Sequence, residues 1–319
     1  MFHLLFNHTA NPIWLSLLRR GTGGLLLVSF ILLWPDFYVL YGLSGVVDGD
    51  LLLLQRRAPG YAVYQLLGTV AEAGLSPGLA LTALAFGYGV LCVLLCGWQS
   101  RPAAAALLVI HTVFFLAVPA FSYGFDYFAA SALFYCAVFP AAPKAGTASA
   151  ADLGSASLRV LQVHLCLVYF FGGLDKLLGS TWRSGEALWK AMSQPGFSGP
   201  LRPAAETLMD YPYLWVLAGW AVIALELAYA VCIWPAATRK VWLWATICLH
   251  LGIAWCMGLY SFSAMMILLN LVAFYFPYTP LRTPHSRHAG HPPSGAAVAG
   301  EGLVRAVRGA ASPQEAVDV

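Results

Sequence analysis

Between residues 21 and 278 the chain is a succession of apolar runs, each close to the length a helix needs to cross a lipid bilayer. The hydrocarbon core is about 30 Å thick and asks for about 20 apolar helical residues. Eight runs meet or approach that length, at 21–42, 77–97, 102–121, 126–141, 157–178, 212–235, 241–259 and 262–278. Backbone in hydrocarbon must satisfy its own hydrogen bonds, so such runs fold as helices. No alternation of period two is sustained, which argues against a β-barrel. The expected fold is all-α, a polytopic helical membrane protein with about eight transmembrane helices. Residues 1–20 read as a cytoplasmic N-terminal segment and 21–280 as the transmembrane domain. Residues 281–319, rich in Ala, Gly, Pro and Ser, read as a disordered cytoplasmic tail.

Charged residues make up 10% of the 319 and hydrophobic residues 60%, against about 25% charged in an ordinary soluble domain. A soluble particle of this size would lack the charge to cover its surface. The net charge of +3 is too small to point to nucleic acid. The seven cysteines, at 92, 96, 136, 166, 232, 248 and 256, all lie in apolar runs, where cysteine acts as a small hydrophobe. There is no CxxC pair and no Cys/His ligand spacing, so no metal site is expected.

The first run follows Arg19 and Arg20, as the core of a signal peptide would. Trp34, Asp36 and Tyr38 stand where a cleavage site needs small residues, so it reads as an uncleaved span. Basic residues in the connections set the orientation. With eight spans both termini share a side. That side collects ten basic residues, among them Arg19, Arg20, Arg101, Lys144, Arg239 and Lys240, and the other collects five. Both termini are expected in the cytoplasm, in a bacterial inner membrane. The sequon Asn7-His8-Thr9 then faces the cytoplasm. The connections 43–76 and 179–211 face outward and suit short interfacial helices.

Ionisable side chains inside spans are expensive and functional by default. Here they are Asp36, Asp126, Asp175, Lys176, Glu226, His111, His164 and His250. Glu226 and His250 fall nearer the midplane on consecutive spans, and the simplest expectation is a hydrogen bond between them. Asp36 and Asp126 sit at outer span ends, where they also suit contact with water. Lysine at a span end ordinarily snorkels to the interface.

The stretch Tyr169-Phe170-Phe171-Gly172-Gly173-Leu174-Asp175-Lys176-Leu177, followed by Trp182 and Gly185, is more specific. Two glycines admit a helix or a flat ligand to the backbone, and a lysine follows at the membrane surface. With these residues the chain resembles the horizontally transferred transmembrane (HTTM) group, which is related to vitamin K-dependent gamma-carboxylase. The resemblance covers roughly 16–278. It includes Tyr41-Gly42-Leu43-Ser44-Gly45, Gly124-Phe125-Asp126-Tyr127, Leu225-Glu226-Leu227-Ala228-Tyr229 and His250-Leu251-Gly252.

The resemblance implies that Lys176 is a base toward a quinone or hydroquinone cofactor such as vitamin K, and that a peptide or protein is the substrate. His250 matches a histidine position of the family. The chain departs at 123–127, where the carboxylase has a functional histidine and this sequence has none. A base lysine must be neutral, and desolvation favours the neutral amine. The expected pocket lies at the outer face. Gly172 and Gly173 wall it, Trp182 in the 179–211 connection caps it, and Asp36 and Asp126 border it. Three readings stand open: a carboxylase-like enzyme with Lys176 as base, a non-catalytic component binding a lipid, quinone or peptide partner in peptide maturation, and a transporter using Glu226 and His250.

Overall fold

The computed structural model describes residues 13–43, 45–46, 60–98, 100–115, 122–139, 148–194, 196, 199–201, 203, 206–208 and 210–278. The sequon, Arg56, Arg57 and the segment 281–319 lie outside the described residues. All regular elements among the described residues are helical: α1 Ile13–Leu33, α2 Phe37–Tyr41, α3 Gly60–Glu72, α4 Pro77–Gly97, α5 Arg101–Phe114, α6 Gly124–Val138, α7 Ala148–Leu178, α8 Ser180–Arg183, α9 Glu186–Ser193, α10 Pro212–Cys232, α11 Ala236–Met257 and α12 Tyr260–Phe274. Short 3-10 turns at Trp34–Asp36 and Phe276–Tyr278 extend α1 and α12.

Six of these are long and apolar enough to cross a membrane, among them Ile13–Tyr41 and Gly154–Leu178. The chain is an integral membrane protein of helical class. Their outward faces carry large apolar side chains such as Leu32, Leu79, Phe86 and Val231, each at least 70% exposed. A soluble protein does not tolerate such a surface, whereas lipid covers it.

The expected third and fourth spans are the shorter helices α5 and α6, of 14 and 15 residues. At 1.5 Å per residue, 15 residues rise only about 22 Å. The sequence stops α6: Phe139 precedes Pro140, and a residue before proline is driven out of helical geometry. Phe139 is extended, with φ −68° and ψ 132°. At the other end of the apolar pair, Ser100 caps α5 by accepting from the Ala103 N–H at 3.3 Å, with Pro102 in the first turn.

The N-terminal boundary also differs from expectation. α1 begins at Ile13, and Arg19 is 2% exposed inside the bundle rather than free on a cytoplasmic flank. Its guanidinium donates to the carbonyls of Cys136, at 3.0 Å and 3.2 Å, and of Phe139 at 2.8 Å. Arg101 donates to the carbonyls of Ala137 at 2.8 Å and Val138 at 3.1 Å. Helices leave their last four carbonyls without intrahelical donors, and two arginines from different helices supply them here. Arg239 does the same for α10, donating to the carbonyls of Ile233 and Trp234.

Packing pairs α1 with α4, α5 with α6, α7 with α10 and α11 with α12, while α12 also touches α1, α6 and α7. The α7–α10 contact depends on Gly173. A Cβ there would stand 2.9 Å from the Leu227 nitrogen and 3.0 Å from Glu226 Cβ. The glycine pair therefore admits a helix. Gly173→Leu should force α7 and α10 apart and lower resistance to SDS-induced unfolding by about 2 kcal/mol or more. An unchanged unfolding midpoint would show that the helices are free to separate.

The two long connections contain the expected short helices. In 43–76 this is α3, which buries Val63 and Leu67 against the bundle. In 179–211 they are α8 and α9. Gly185 turns the chain between these two at φ +77°, and a Cβ there would meet the Val216 nitrogen at 2.5 Å. Only glycine suits both the angle and the space.

Candidate functional site

Tyr169, Gly173 and Lys176 follow one another at i, i+4 and i+7 and share one face of α7. Glu226 and Tyr229, at i and i+3, share a face of α10. The close approach at Gly173 puts these two faces together. Lys176 Nζ donates to Glu226 Oε2 at 2.7 Å and to the Gly172 carbonyl at 3.3 Å. Nζ also lies 5.1 Å from the centre of the Trp182 ring, within cation–π range. The Lys176 side chain is 21% exposed and that of Glu226 11%. A Cβ on Gly172 would meet only ordinary contacts, 3.5 Å from Glu226 Oε2 and 3.6 Å from Nζ. Gly172 and Trp182 thus lie beside Nζ, while Gly173 faces α10.

The expected Glu226–His250 bond is not present. Glu226 takes Lys176 instead, because the Gly173 contact brings α7 against the Glu226 face of α10. His250 Nε2 is bound by the Tyr169 hydroxyl at 2.8 Å. Asn270 Nδ2 donates to that same hydroxyl oxygen at 2.8 Å and to the Met266 carbonyl at 2.8 Å, and Tyr229 donates to Asn270 Oδ1 at 2.7 Å. The proton between Tyr169 and Nε2 belongs to either group, depending on whether Nδ1 of His250 carries the ring proton. That Nδ1 is buried and has no hydrogen-bond partner among the described residues. Asn270 carries no signal in the sequence, and Tyr169 stands there only as the first residue of the lysine motif, since an uncharged polar residue in an apolar run does not announce its partners.

Asp36 and Asp126 do not border Lys176. They line a separate cavity of about 410 Å³, along with His111, Tyr88, Tyr41 and Tyr123. Asp126 starts α6 and accepts from the Tyr123 N–H at 2.9 Å. His111, on α5, is 3.3 Å from the Asp126 carbonyl through Nε2 and 3.1 Å from the Tyr88 hydroxyl through Nδ1. Both carboxylates belong to the half of the bundle built on α1, α4, α5 and α6, while Lys176 belongs to α7 and α10. His164 is bound to the Tyr135 hydroxyl at 2.6 Å and takes no part in either cluster.

No family model, curated protein or solved structure matches the chain. Function must be read from the geometry. A lysine amine and a carboxylate in contact, in a water-poor wall, can share a proton in two ways. The proton on Nζ gives an ion pair, and the proton on Oε2 gives two neutral groups. A lysine so placed has a built-in acceptor for its proton.

An ammonium has three donors, and the Glu226 carboxylate and Gly172 carbonyl occupy two. The third, together with the exposed part of the side chain, leaves room for one external oxygen. The residues present therefore fit a quinone-type oxygen at Lys176, next to the Trp182 ring.

Proposed function

We propose that this chain is an integral membrane protein of the HTTM group, related to vitamin K-dependent gamma-carboxylase, in which Lys176 and Glu226 handle a proton for a quinone-dependent, carboxylase-like reaction at the outer membrane face. The observation that carries this reading is the 2.7 Å contact between Lys176 Nζ and Glu226 Oε2. Lys176 would hold the oxygen of a hydroquinone such as vitamin K, with Trp182 against its apolar face. The cofactor, when bound, supplies the redox chemistry. Lys176 presents Nζ to the oxygen, and Glu226 takes up the proton that Nζ must lose to act as a base. Gly172 keeps the approach to Nζ open. The substrate would be a peptide or protein at the outer surface.

Lys176→Arg keeps the charge and the partner but cannot provide a neutral amine. It is expected to abolish turnover while expression and folding persist. In the same preparation, a quinone should co-purify with the wild-type chain in mild detergent. A fully active Lys176→Arg protein removes the base role.

A second reading has its own support. Lys176 is held by Glu226, Gly172 and Trp182 at once, as an anchoring residue would be. In that case the chain is a non-catalytic component that binds a lipid, a quinone or a peptide partner, and Lys176→Arg is tolerated.

The orientation proposed is both termini in the cytoplasm of a bacterial inner membrane. Reporter fusions at residue 144 and at the C-terminus should report cytoplasm, and one near residue 195 should report the outside. A periplasmic signal at the C-terminus would mean that α5 and α6 do not each count as a crossing.

A further inference from the structure

The cavity lined by Asp36 and Asp126 has no role in the proton chemistry proposed for Lys176. We propose that it is a binding site for a small organic cation, an ammonium group joined to an apolar or aromatic body. This rests on the cavity alone and is independent of the reading of Lys176.

Its volume, about 410 Å³, is that of a small-molecule site. Its polar wall is graded. Asp36 is exposed at one end, whereas Asp126 is 6%, Tyr88 3% and His111 1% exposed. Among the described residues, no lysine or arginine lines it. In its neutral form His111 supplies no positive charge. Its Nε2–H is directed to the Asp126 carbonyl and its Nδ1 accepts from Tyr88, so both nitrogens are satisfied in the neutral ring. Asp126 Oδ1 stands 3.8 Å from His111 Nε2, beyond hydrogen-bonding length, while Oδ2 holds the Tyr123 N–H. The carboxylate thus keeps one oxygen for a ligand.

The remaining walls favour the same chemistry. Phe30, Tyr88, Phe115 and His111 pack as one aromatic group, with ring centres 5.2 Å apart for Phe30 and Tyr88, 5.4 Å for Tyr88 and Phe115, and 4.9 Å for His111 and Phe115. Ring faces attract cations. A metal ion is a poor fit, because no group of three or more His, Cys, Asp or Glu side chains comes together among the described residues. Among the described lining residues an anion would meet two carboxylates and no lysine or arginine. A free amine and the ammonium of an ethanolamine phospholipid both have the required group.

The test uses the full chain, delipidated in a neutral maltoside detergent. Thermal unfolding is followed with 2-phenylethylamine, 2-phenylethanol and phenylacetate, which share a body and differ in charge. A ligand that binds the native state raises Tm in proportion to its affinity. The amine is expected to raise Tm saturably, the alcohol to need about tenfold more ligand or more, and the acid to do nothing. Asp126→Asn retains an acceptor for the Tyr123 N–H but loses the charge, and should weaken the amine response about tenfold. Asp36→Asn should weaken it less.

Equal responses to amine and alcohol, or an amine response untouched in both variants, would overturn the proposal. If Asp126→Asn does not fold, the wild-type series alone decides. Adding phosphatidylethanolamine distinguishes the sources. Loss of the amine response there, but not with phosphatidylcholine, assigns the ammonium to a lipid headgroup, and an unchanged response assigns it to a free amine.

Discussion

Glu226→Ala should destabilise the protein by about 3 kcal/mol, the penalty for leaving one member of a buried ion pair without its partner. The Glu226 side chain is 11% exposed and, among the described residues, Lys176 has only the Gly172 carbonyl and the Trp182 ring besides. Removing Lys176 as well should recover much of the loss. A double-mutant cycle between Glu226 and Lys176, read by SDS-induced unfolding, should therefore be strongly non-additive. Tyr169 and His250 form a second coupled pair, with a smaller coupling of about 0.6 kcal/mol, typical of a hydrogen bond inside a bilayer. Glu226 and His250 share no hydrogen bond, and their single effects should add. Strong coupling between these two, and none between Glu226 and Lys176, would mean that α10 turns its Glu226 face to α11 rather than to α7.

Arg19→Ala is expected to lower stability by about 3 kcal/mol. The guanidinium makes charge-assisted bonds to two buried carbonyls, and its loss leaves both unsatisfied as well as opening a void. Arg19→Lys should recover only part, because a lysine cannot reproduce the planar fork that reaches Cys136 and Phe139 together. Arg101→Ala should have a smaller effect, since that residue is exposed and its loss opens no buried void. Equal losses at Arg19 and Arg101 would show that burial does not set the difference. Unfolding in detergent, monitored by tryptophan fluorescence, measures all three.

The helices were legible because apolar length is a one-dimensional property, and the bilayer sets its scale. The surroundings of Lys176 were legible for a similar reason, since Gly172, Gly173 and Trp182 are its neighbours along the chain. The partner of Glu226 was not. Sequence proximity favours His250, on the next helix, but the contact that decides lies between α7 and α10 and depends on the bare backbone at Gly173. Asp36 and Asp126 illustrate the same limit. Counting residues along a span estimates depth, but it leaves the position around the bundle undetermined. Two carboxylates and a lysine assigned to one depth can therefore lie in different parts of the bundle. The basic residues behave likewise. Arg19, Arg101 and Arg239 count toward orientation by sequence, yet each is engaged with carbonyls at a helix end.

The arginine clasp on α6 bears on how this protein meets a membrane thicker than some of its helices. A helix of about 22 Å in a layer of about 30 Å must thin the lipid around it or end within the hydrocarbon. Ending there strands four carbonyls in a medium that offers no water. Arg19 and Arg101 between them reach the carbonyls of Cys136, Ala137, Val138 and Phe139. The helix end is thus solvated by the protein itself. Where α6 lies in hydrocarbon, the bundle itself can then take up the mismatch that would otherwise deform the bilayer. α6 can then hold Asp126 at a depth fixed by packing rather than by the thickness of the surrounding lipid.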